Sequence, residues 1–269
     1  MKPLVLSLRA RPQQRLDLSL LTPHRLAGLS AAEIARIELQ TTRARVTVGD
    51  AFRVRMGDAA AIRIEASCDR LDQIGQEMTG GAIVVDGPVG IQAGRRMAGG
   101  QLMIRGDAGP WAASGMRGGT IEITGDAGDH LGGPLTGETA GMRGGLVVVR
   151  GNVGARAGDR LRRGMILVEG HAGPYAGARM IAGTLMVRRR AGALPGYLMR
   201  RGTIVLIDGA ETLSPTFVDC GVHQLVSLRL MATFVREHSP VLASRLGRPL
   251  RRLAGDMATL GKGEILTTA

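Results

Sequence analysis

A glycine-rich unit that recurs through the middle of the chain constrains the fold more than any other feature. The stretches MRGGTIEITGDAGDHLGG, from Met116 to Gly133, and MRGGLVVVRGNVGARAGDRL, from Met142 to Leu161, carry two copies of it. The copies are spaced 19 residues apart, except for one spacing of 26, and they begin at Met78, Met97, Met116, Met142, Leu161, Met180 and Met199. The longer unit contains seven extra residues within Gly132–Gly141. A fixed period of this kind is the sequence signature of a repeat architecture.

Each unit has the pattern of one strand between two corners. The fourth residue is glycine, and the sixth and eighth are aliphatic, as in Gly81, Ile83 and Val85. Alternating aliphatic residues predict a strand with one face in the core, and flanking glycines favour sharp corners. A period of 19 is too short for a helical repeat or a propeller blade, and it fits one coil of a β-solenoid. The sequence therefore predicts a mainly β protein with about seven coils, in which the first residue of each unit, usually Met, packs in the core.

The segments on either side of the repeat divide the chain into three regions. Residues 1–58 alternate like short strands, and Ser30 followed by Glu33 predicts a capped helix, so we expect a small α/β region that caps the solenoid. Residues 59–208 are the β-helix, with 61–77 as an imperfect first coil. Residues 209–269 are predicted as a helical segment and tail, because apolar residues recur at helical spacing from His223 to His238 and a second helix fits Pro240–Leu246.

The seventh residue of each unit forms an apolar stripe on the outer face of the predicted strands. Only Glu122 is polar at this place. The other six residues are Val84, Met103, Val148, Leu167, Met186 and Val205. An apolar stripe of this length must be covered. The cover is either the C-terminal helical segment of the same chain or partner subunits, and the six residues are therefore candidates for a subunit interface.

Arginines form ladders at two other places of the unit. The second residue is arginine in Arg117, Arg143, Arg162 and Arg200, and the last residue is arginine in Arg96, Arg160 and Arg179. Adjacent coils would place these side chains about 5 Å apart, where like charges repel one another. The ladders therefore either spread into solvent or meet an acidic partner. Together with a net charge of +12, they are a candidate track for a polyanion.

The usual signs of catalysis do not occur in the sequence. Cys68 and Cys220 are the only cysteines, and the five histidines form neither an HxxxH nor an HExxH motif. We therefore predict no catalytic residue, no metal site and no cofactor held by this chain itself. The sequence has no apolar run long enough for a signal peptide or a membrane span, so we expect a cytoplasmic protein without membrane contact.

The repeat and the C-terminal sequence GDMATLGKGEIL (Gly255–Leu266) resemble the C subunit of formylmethanofuran dehydrogenases over essentially the whole chain. The repeat also resembles the right-handed parallel β-helix at the C-terminus of glutamate synthase large subunits. The resemblance implies a right-handed β-helix and a non-catalytic scaffold in one of two settings. In methanogenic archaea, the complex is a tungsten or molybdenum dehydrogenase with iron–sulfur clusters. In methylotrophic bacteria, it is a formyltransferase/hydrolase complex.

The bacterial setting is the one that we favour, because 33 of the 35 basic residues are arginine, as GC-rich genomes tend to encode. There, the resemblance implies that a formyl group passes from tetrahydromethanopterin to a methanofuran-like carrier and is hydrolysed to formate. Its implied partners are amidohydrolase-like and formyltransferase subunits, which hold the active sites. The carrier has a polyglutamate tail, and the arginine ladders are candidates for docking it.

Two alternatives remain at this stage. One is the C subunit of the tungsten or molybdenum dehydrogenase. The other is a free-standing basic solenoid that binds nucleic acid or another polyanion. Only the charge favours this second alternative, because aromatic residues, which stack on bases, make up 2% of the chain.

Overall fold

A computed structural model describes residues 2–268 and shows a mainly β protein, as predicted. The strands are β1 (Pro3–Leu8), β2 (Leu16–Asp17), β3 (Glu38–Leu39), β4 (Val46–Thr47), β5 (Phe52–Arg55), β6 (Asp58–Glu65), β7 (Leu71–Asp72), β8 (Ala82–Asp86), β9 (Gln101–Arg105), β10 (Thr120–Ile123), β11 (Arg143–Val149), β12 (Arg163–Val168), β13 (Thr184–Val187), β14 (Arg201–Leu206), β15 (Val218–His223), β16 (Leu250–Gly255) and β17 (Lys262–Thr267). The helices are α1 (Pro23–Leu26), α2 (Ala31–Arg36), α3 (Val48–Ala51), α4 (Val226–His238) and α5 (Pro240–Leu246).

One long sheet of thirteen strands organises the molecule, in the order β15-β16-β17-β14-β13-β12-β11-β10-β9-β8-β6-β1-β5. The strands of the repeat are parallel and pair unit by unit, so that Ile83 lies opposite Leu102. The insertion does not disturb this register, because Ile121 lies opposite Val147. A second line of parallel bridges joins the twelfth residues of successive units, from Val89 to Ala210. Two lines of pairing per unit are what a chain coiling around one core requires.

The core lies between these two lines of pairing. The sixth and eighth residues of each unit are buried in one continuous hydrophobic cluster. The first residue of every unit is fully buried in the same cluster, which confirms its predicted place in the core. Close packing of Met, Ala and branched aliphatic side chains therefore fills an interior that contains few aromatic rings.

Polar ladders cap the turns between coils. Oδ1 of Asp107 accepts a hydrogen bond from the backbone N–H of Asp126, at 2.8 Å, and Oδ1 of Asp126 accepts one from Asn152, at 2.7 Å. Oδ1 of Asn152 accepts one from His171, at 2.8 Å. These side chains satisfy turn N–H groups of the next coil, so Asp107 and Asp126 are turn residues.

A second ladder occupies the fifteenth place of the unit, which no sequence signal singled out. Trp111 and His130 stack with ring centroids 5.3 Å apart, and the guanidinium of Arg156 lies 5.1 Å from the ring centroid of Tyr175. All four have a positive φ, between 58° and 61°. Because equivalent residues of adjacent coils share one conformation, their side chains lie one above the other at roughly the spacing of the strands.

The N-terminal region adds two strands to the long sheet, and the second of them forms its edge. Strand β1 pairs in parallel with β6, and β5 pairs with β1 in the antiparallel direction at the end of the sheet. The predicted helix is α2, and Ser30 and Glu33 form its capping box. The long sheet therefore crosses the predicted boundaries on both sides of the repeat. The first residue of the predicted N-terminal region and the last of the C-terminal segment lie outside the described residues.

The C-terminal segment is less helical than predicted. Strand β17 returns to the sheet and pairs in parallel with β14, so that Gly263 lies opposite Gly202 and Ile265 opposite Ile204. Gly263 and Ile265 therefore occupy the positions that the fourth and sixth residues have in each unit. The predicted boundary at residue 209 did not take this similarity of the tail to the repeat into account. The first C-terminal helix begins at Val226, not near His223, because His223 pairs with Leu250 between β15 and β16.

Helices α4 and α5 cover one half of the seventh-place stripe. Val148, Leu167, Met186 and Val205 are buried in a second cluster, against helix residues such as Leu228, Val235 and Leu242. Because the chain itself covers these four residues, the expected partner interface does not extend to them. Val84 and Met103 are only half-buried and lie outside this cluster, so the interface candidates narrow to these two.

Glu122 marks the border between the covered and uncovered halves of the stripe. The guanidinium of Arg150 donates to Glu122 at 2.7 Å and to Glu169 at 2.6 Å. The hydroxyl of Ser239, at the start of α5, donates to Glu169 at 2.7 Å. This charged network ties the helical cover to the sheet at the point where the apolar stripe is interrupted.

Candidate arginine groove

The two predicted arginine ladders lie side by side because of how the coils turn. The last-place residues Arg96, Arg160 and Arg179 have a positive φ, between 50° and 53°, and each donates its backbone N–H to the following coil. The second-place arginines donate theirs to the first residue of the preceding unit, as Arg117 does to Met97 at 2.7 Å. One buried residue separates the two places, so the corner brings both sets of side chains to one edge of the column.

Two neighbouring cavities open at this edge. The first, of about 330 Å³, is lined by Arg96, Arg117 and Arg143 together with Gly137–Ala140 of the insertion. The second, of about 410 Å³, is lined by Arg160, Arg179 and Arg200, with Thr139 and Thr259. Thr139 lines both. We call the two cavities together the arginine groove. It contains all the predicted track residues except Arg162, which lines neither cavity.

Some of these arginines are paired inside the chain. Nε of Arg179 donates a hydrogen bond to Oδ1 of Asp159 at 2.9 Å, and Nη2 of Arg179 donates a second one to Oδ2. The side chain of Asp159 is buried. The hydrogen bonds to Asp159 raise the pKa of Arg179. Nη2 of Arg96 lies 2.9 Å from Oε1 of Glu138, on the insertion. The charges of Arg179 and Arg96 are therefore largely neutralised within the chain and contribute little to the binding of an external anion.

Glu138 is ionised at neutral pH. Burial raises the pKa of this carboxyl, but the backbone N–H of Leu135 and the guanidinium groups of Arg96 and Arg95 outweigh it, and the net shift is downward. A lowered pKa in the folded state means that the contacts of Glu138 contribute fully above its unfolded pKa. They weaken only as the pH falls through the lower folded value.

Arg160 donates to the carbonyl oxygen of Glu138, and the other four track arginines are free to bind an external anion. Arg117, Arg143, Arg162 and Arg200 are exposed, and none forms an ion pair with another residue of 2–268. Arginine presents a planar set of donors that suits carboxylate and phosphate groups. The groove therefore offers three free guanidinium groups on two sides of the insertion, from Arg117, Arg143 and Arg200.

Comparison with known proteins found a relative that is similar along almost the whole chain. The C subunit of the formyltransferase/hydrolase complex Fhc of Methylorubrum extorquens is 51% identical over 264 residues, which is 98% of this chain and 99% of the relative. The chain belongs to this family. The family that the sequence predicted is thus confirmed. No general family model matches the chain.

The structural comparison agrees with this assignment. The crystal structure of the FhcABCD complex from Methylorubrum extorquens, in complex with methylofuran, contains a chain with a TM-score of 0.95 and 44% sequence identity in the superposition. The match covers 98% of this chain and 99% of that one. The C subunit of tungsten-containing formylmethanofuran dehydrogenase 2 from Methanococcus maripaludis is 30% identical over 93 residues, or 34% of each chain. The archaeal resemblance is therefore limited to a third of the length.

Several groove residues of this Fhc homologue were not among the predicted site residues. Glu138 lines the first cavity and accepts a hydrogen bond from Arg95, which itself lines neither cavity. Thr259 lines the second cavity from the C-terminal segment. Further basic residues stand at the starts of strands, with Arg163 opposite the predicted Arg143, and Arg201 opposite Lys262. The Arg–Arg pairs at 95–96, 162–163 and 200–201 were the available signal, because each pair places a further arginine next to a ladder position.

Neither a metal centre nor a membrane-spanning helix occurs among the described residues. Within residues 2–268, no three or more His, Cys, Asp or Glu side chains lie together as a metal-binding group. None of the helices in that range is both long and apolar enough to cross a bilayer.

Proposed function

We propose that this chain is the non-catalytic scaffold, the C subunit, of a cytoplasmic formyltransferase/hydrolase complex. In that complex, a formyl group passes from tetrahydromethanopterin to a methanofuran-like carrier and is then hydrolysed to formate. The observation that carries the proposal is the match along 98% of the chain to a subunit of the methylofuran-bound FhcABCD complex. The proposed partners are an amidohydrolase-like subunit and a formyltransferase subunit.

The proposal includes the finer architecture. We take the column to be a right-handed parallel β-helix of about seven 19-residue coils, at residues 59–208, between the N-terminal region (residues 1–58) and the C-terminal segment (residues 209–269). Parallel register through β6 to β14 and the second line of bridges support this reading. A long, regular column can hold partner subunits at fixed separations. Val84 and Met103, outside the helical cover, are the proposed contact points for one of them.

The arginine groove is proposed to dock the carrier by its polyglutamate tail. Free guanidinium groups on both sides of the insertion support this role, because a chain of carboxylates can meet several of them at once. The net charge of +12 also favours the approach of an acidic ligand.

The composition of the native assembly tests the scaffold role. We expect a tagged chain, purified gently from its host, to carry along formyltransferase-like and amidohydrolase-like subunits in stoichiometric amounts. Iron–sulfur subunits in the same preparation would instead indicate that the chain is a subunit of a dehydrogenase. Recovery of the chain alone, or with nucleic acid, would contradict the complex assignment.

Substitutions in the groove test the docking role. The pair Arg143→Gln and Arg200→Gln should weaken binding of a defined poly-γ-glutamate by about tenfold or more, since each removes a charge-assisted contact. Isothermal titration calorimetry with the full chain measures this. The pair Arg162→Gln and Arg163→Gln is the matched control, because it removes the same number of charges from exposed residues that line neither cavity. Equal losses in both variants would show that net charge, not the groove, binds the polyanion.

A further inference from the structure

The insertion places a carboxylate inside the arginine groove. Oε1 of Glu138 lies 3.0 Å from Nη2 of Arg95 and 2.9 Å from Nη2 of Arg96. Oε2 accepts a hydrogen bond from the backbone N–H of Leu135, at 3.0 Å. The side chain of Glu138 is 21% exposed. The carboxylate is thus held on both oxygens and is only partly open to solvent.

The same residue reaches toward the second cavity through its backbone. Nη1 of Arg160 donates to the carbonyl oxygen of Glu138, at 3.0 Å. Thr139, which follows in sequence, lines both cavities. Glu138 therefore lies at the junction of the groove, and a polyanion that spans both cavities must pass it.

The chemistry of Glu138 matches that of the ligand proposed for the groove. Its carboxylate accepts hydrogen bonds from Arg95 and Arg96. Arg96 lines the first cavity, where a glutamate of a bound polyanion would otherwise reach it. Among the described residues that line the two cavities, Glu138 is the only acidic one. It lowers the local positive charge by one unit and repels an incoming carboxylate at short range.

We infer that Glu138 is a built-in carboxylate that fills one arginine subsite and so limits the affinity of the groove for polycarboxylates. The inference rests on the proposed docking function, and it means that Glu138 determines how tightly the groove binds a polycarboxylate. The seven-residue insertion in one unit then has a function, because without it the repeat would have no acidic group at this point of the groove.

Glu138→Gln tests the inference directly. The amide keeps a similar shape and an oxygen acceptor for the arginines but removes the negative charge. We expect the full-length variant to bind poly-γ-glutamate about three- to tenfold more tightly than the wild type at low salt, because one repulsive charge is removed from the groove. The difference should shrink as salt is added. The same titrations, with a thermal melt of each protein, provide the measurement.

Glu211→Gln is the matched control, since it removes an exposed acidic charge that lines neither cavity. An equal gain in both variants would reduce the effect to net charge and overturn the inference. Unchanged or weaker binding by a normally folded Glu138→Gln variant would overturn it too, while leaving docking in the groove intact. A wild-type chain that does not bind poly-γ-glutamate would remove the docking function itself and the inference with it.

Discussion

Met186→Ala is expected to lower the free energy of unfolding by about 2–5 kcal/mol, the range for truncating a buried Met or Leu. Met186 is fully buried between strand β13 and the helical cover, in the cluster that holds α4 and α5 on the sheet. Removing its side chain leaves a cavity at a junction where neither a strand nor a helix can easily collapse. Urea titration followed by circular dichroism measures the loss.

Met103→Ala is the matched control for this prediction. Met103 occupies the same seventh place of the unit, opposite Glu122 and in the uncovered half, and it is only half-buried. Its truncation in the isolated chain should cost about 1 kcal/mol or less, because partly exposed side chains lose little packing. Equal costs at the two positions would mean that the helices do not distinguish the two halves of the stripe. A larger effect of Met103→Ala on recovery of partner subunits would support its proposed contact role.

The column could be predicted from the sequence because each coil is the template for the next. Gly145, Val147 and Val149 repeat Gly119, Ile121 and Ile123 across the insertion, and the sheet keeps this register. A pattern of this kind fixes which residues face the core at every level, so local and long-range signals agree. The period, the alternating aliphatic residues and the recurring glycines together were enough to predict a mainly β protein.

The cover of the stripe could not be predicted, because periodicity shows that a face is apolar but not what packs on it. Val148 and Val84 have the same place and the same side chain, yet only Val148 lies under α4 and α5. The difference depends on where a segment some 80 residues further along the chain returns to the sheet. Tertiary packing, not local propensity, decides it.

The groove was predictable in its ladders and unpredictable in its pairing. Repeat spacing placed Arg117 and Arg143 in one ladder and Arg96 in another, and the structure brings all three to one cavity. The Glu138–Arg96 contact joins residues 42 positions apart, through an insertion that follows no repeat. Sequence periodicity carries no information about a residue that interrupts the period, so the acidic residue of the groove was visible only in three dimensions.

Gly170→Ala is expected to destabilise the column by about 1–3 kcal/mol, the usual cost of forcing extra volume into a close-packed site. A Cβ at Gly170 would lie 2.3 Å from the carbonyl oxygen of Gly151 and 2.5 Å from its carbonyl carbon, in the preceding coil. Both are backbone atoms, and the N–H of Gly170 already donates to that oxygen at 2.9 Å. The coils must therefore separate at this corner, and the hydrogen bond must lengthen.

Gly80→Ala separates this effect from the general consequence of replacing a glycine. A Cβ at Gly80 meets nothing within 4 Å, and its φ lies outside the left-handed region. The same substitution there should leave stability unchanged or raise it by about 0.4–1 kcal/mol, because alanine restricts the unfolded chain. Fluorescence of Trp111, the only tryptophan, follows unfolding of the column in both variants. If Gly80→Ala lost as much stability as Gly170→Ala, glycine would be needed for corner flexibility, and close stacking of the coils would not explain its recurrence.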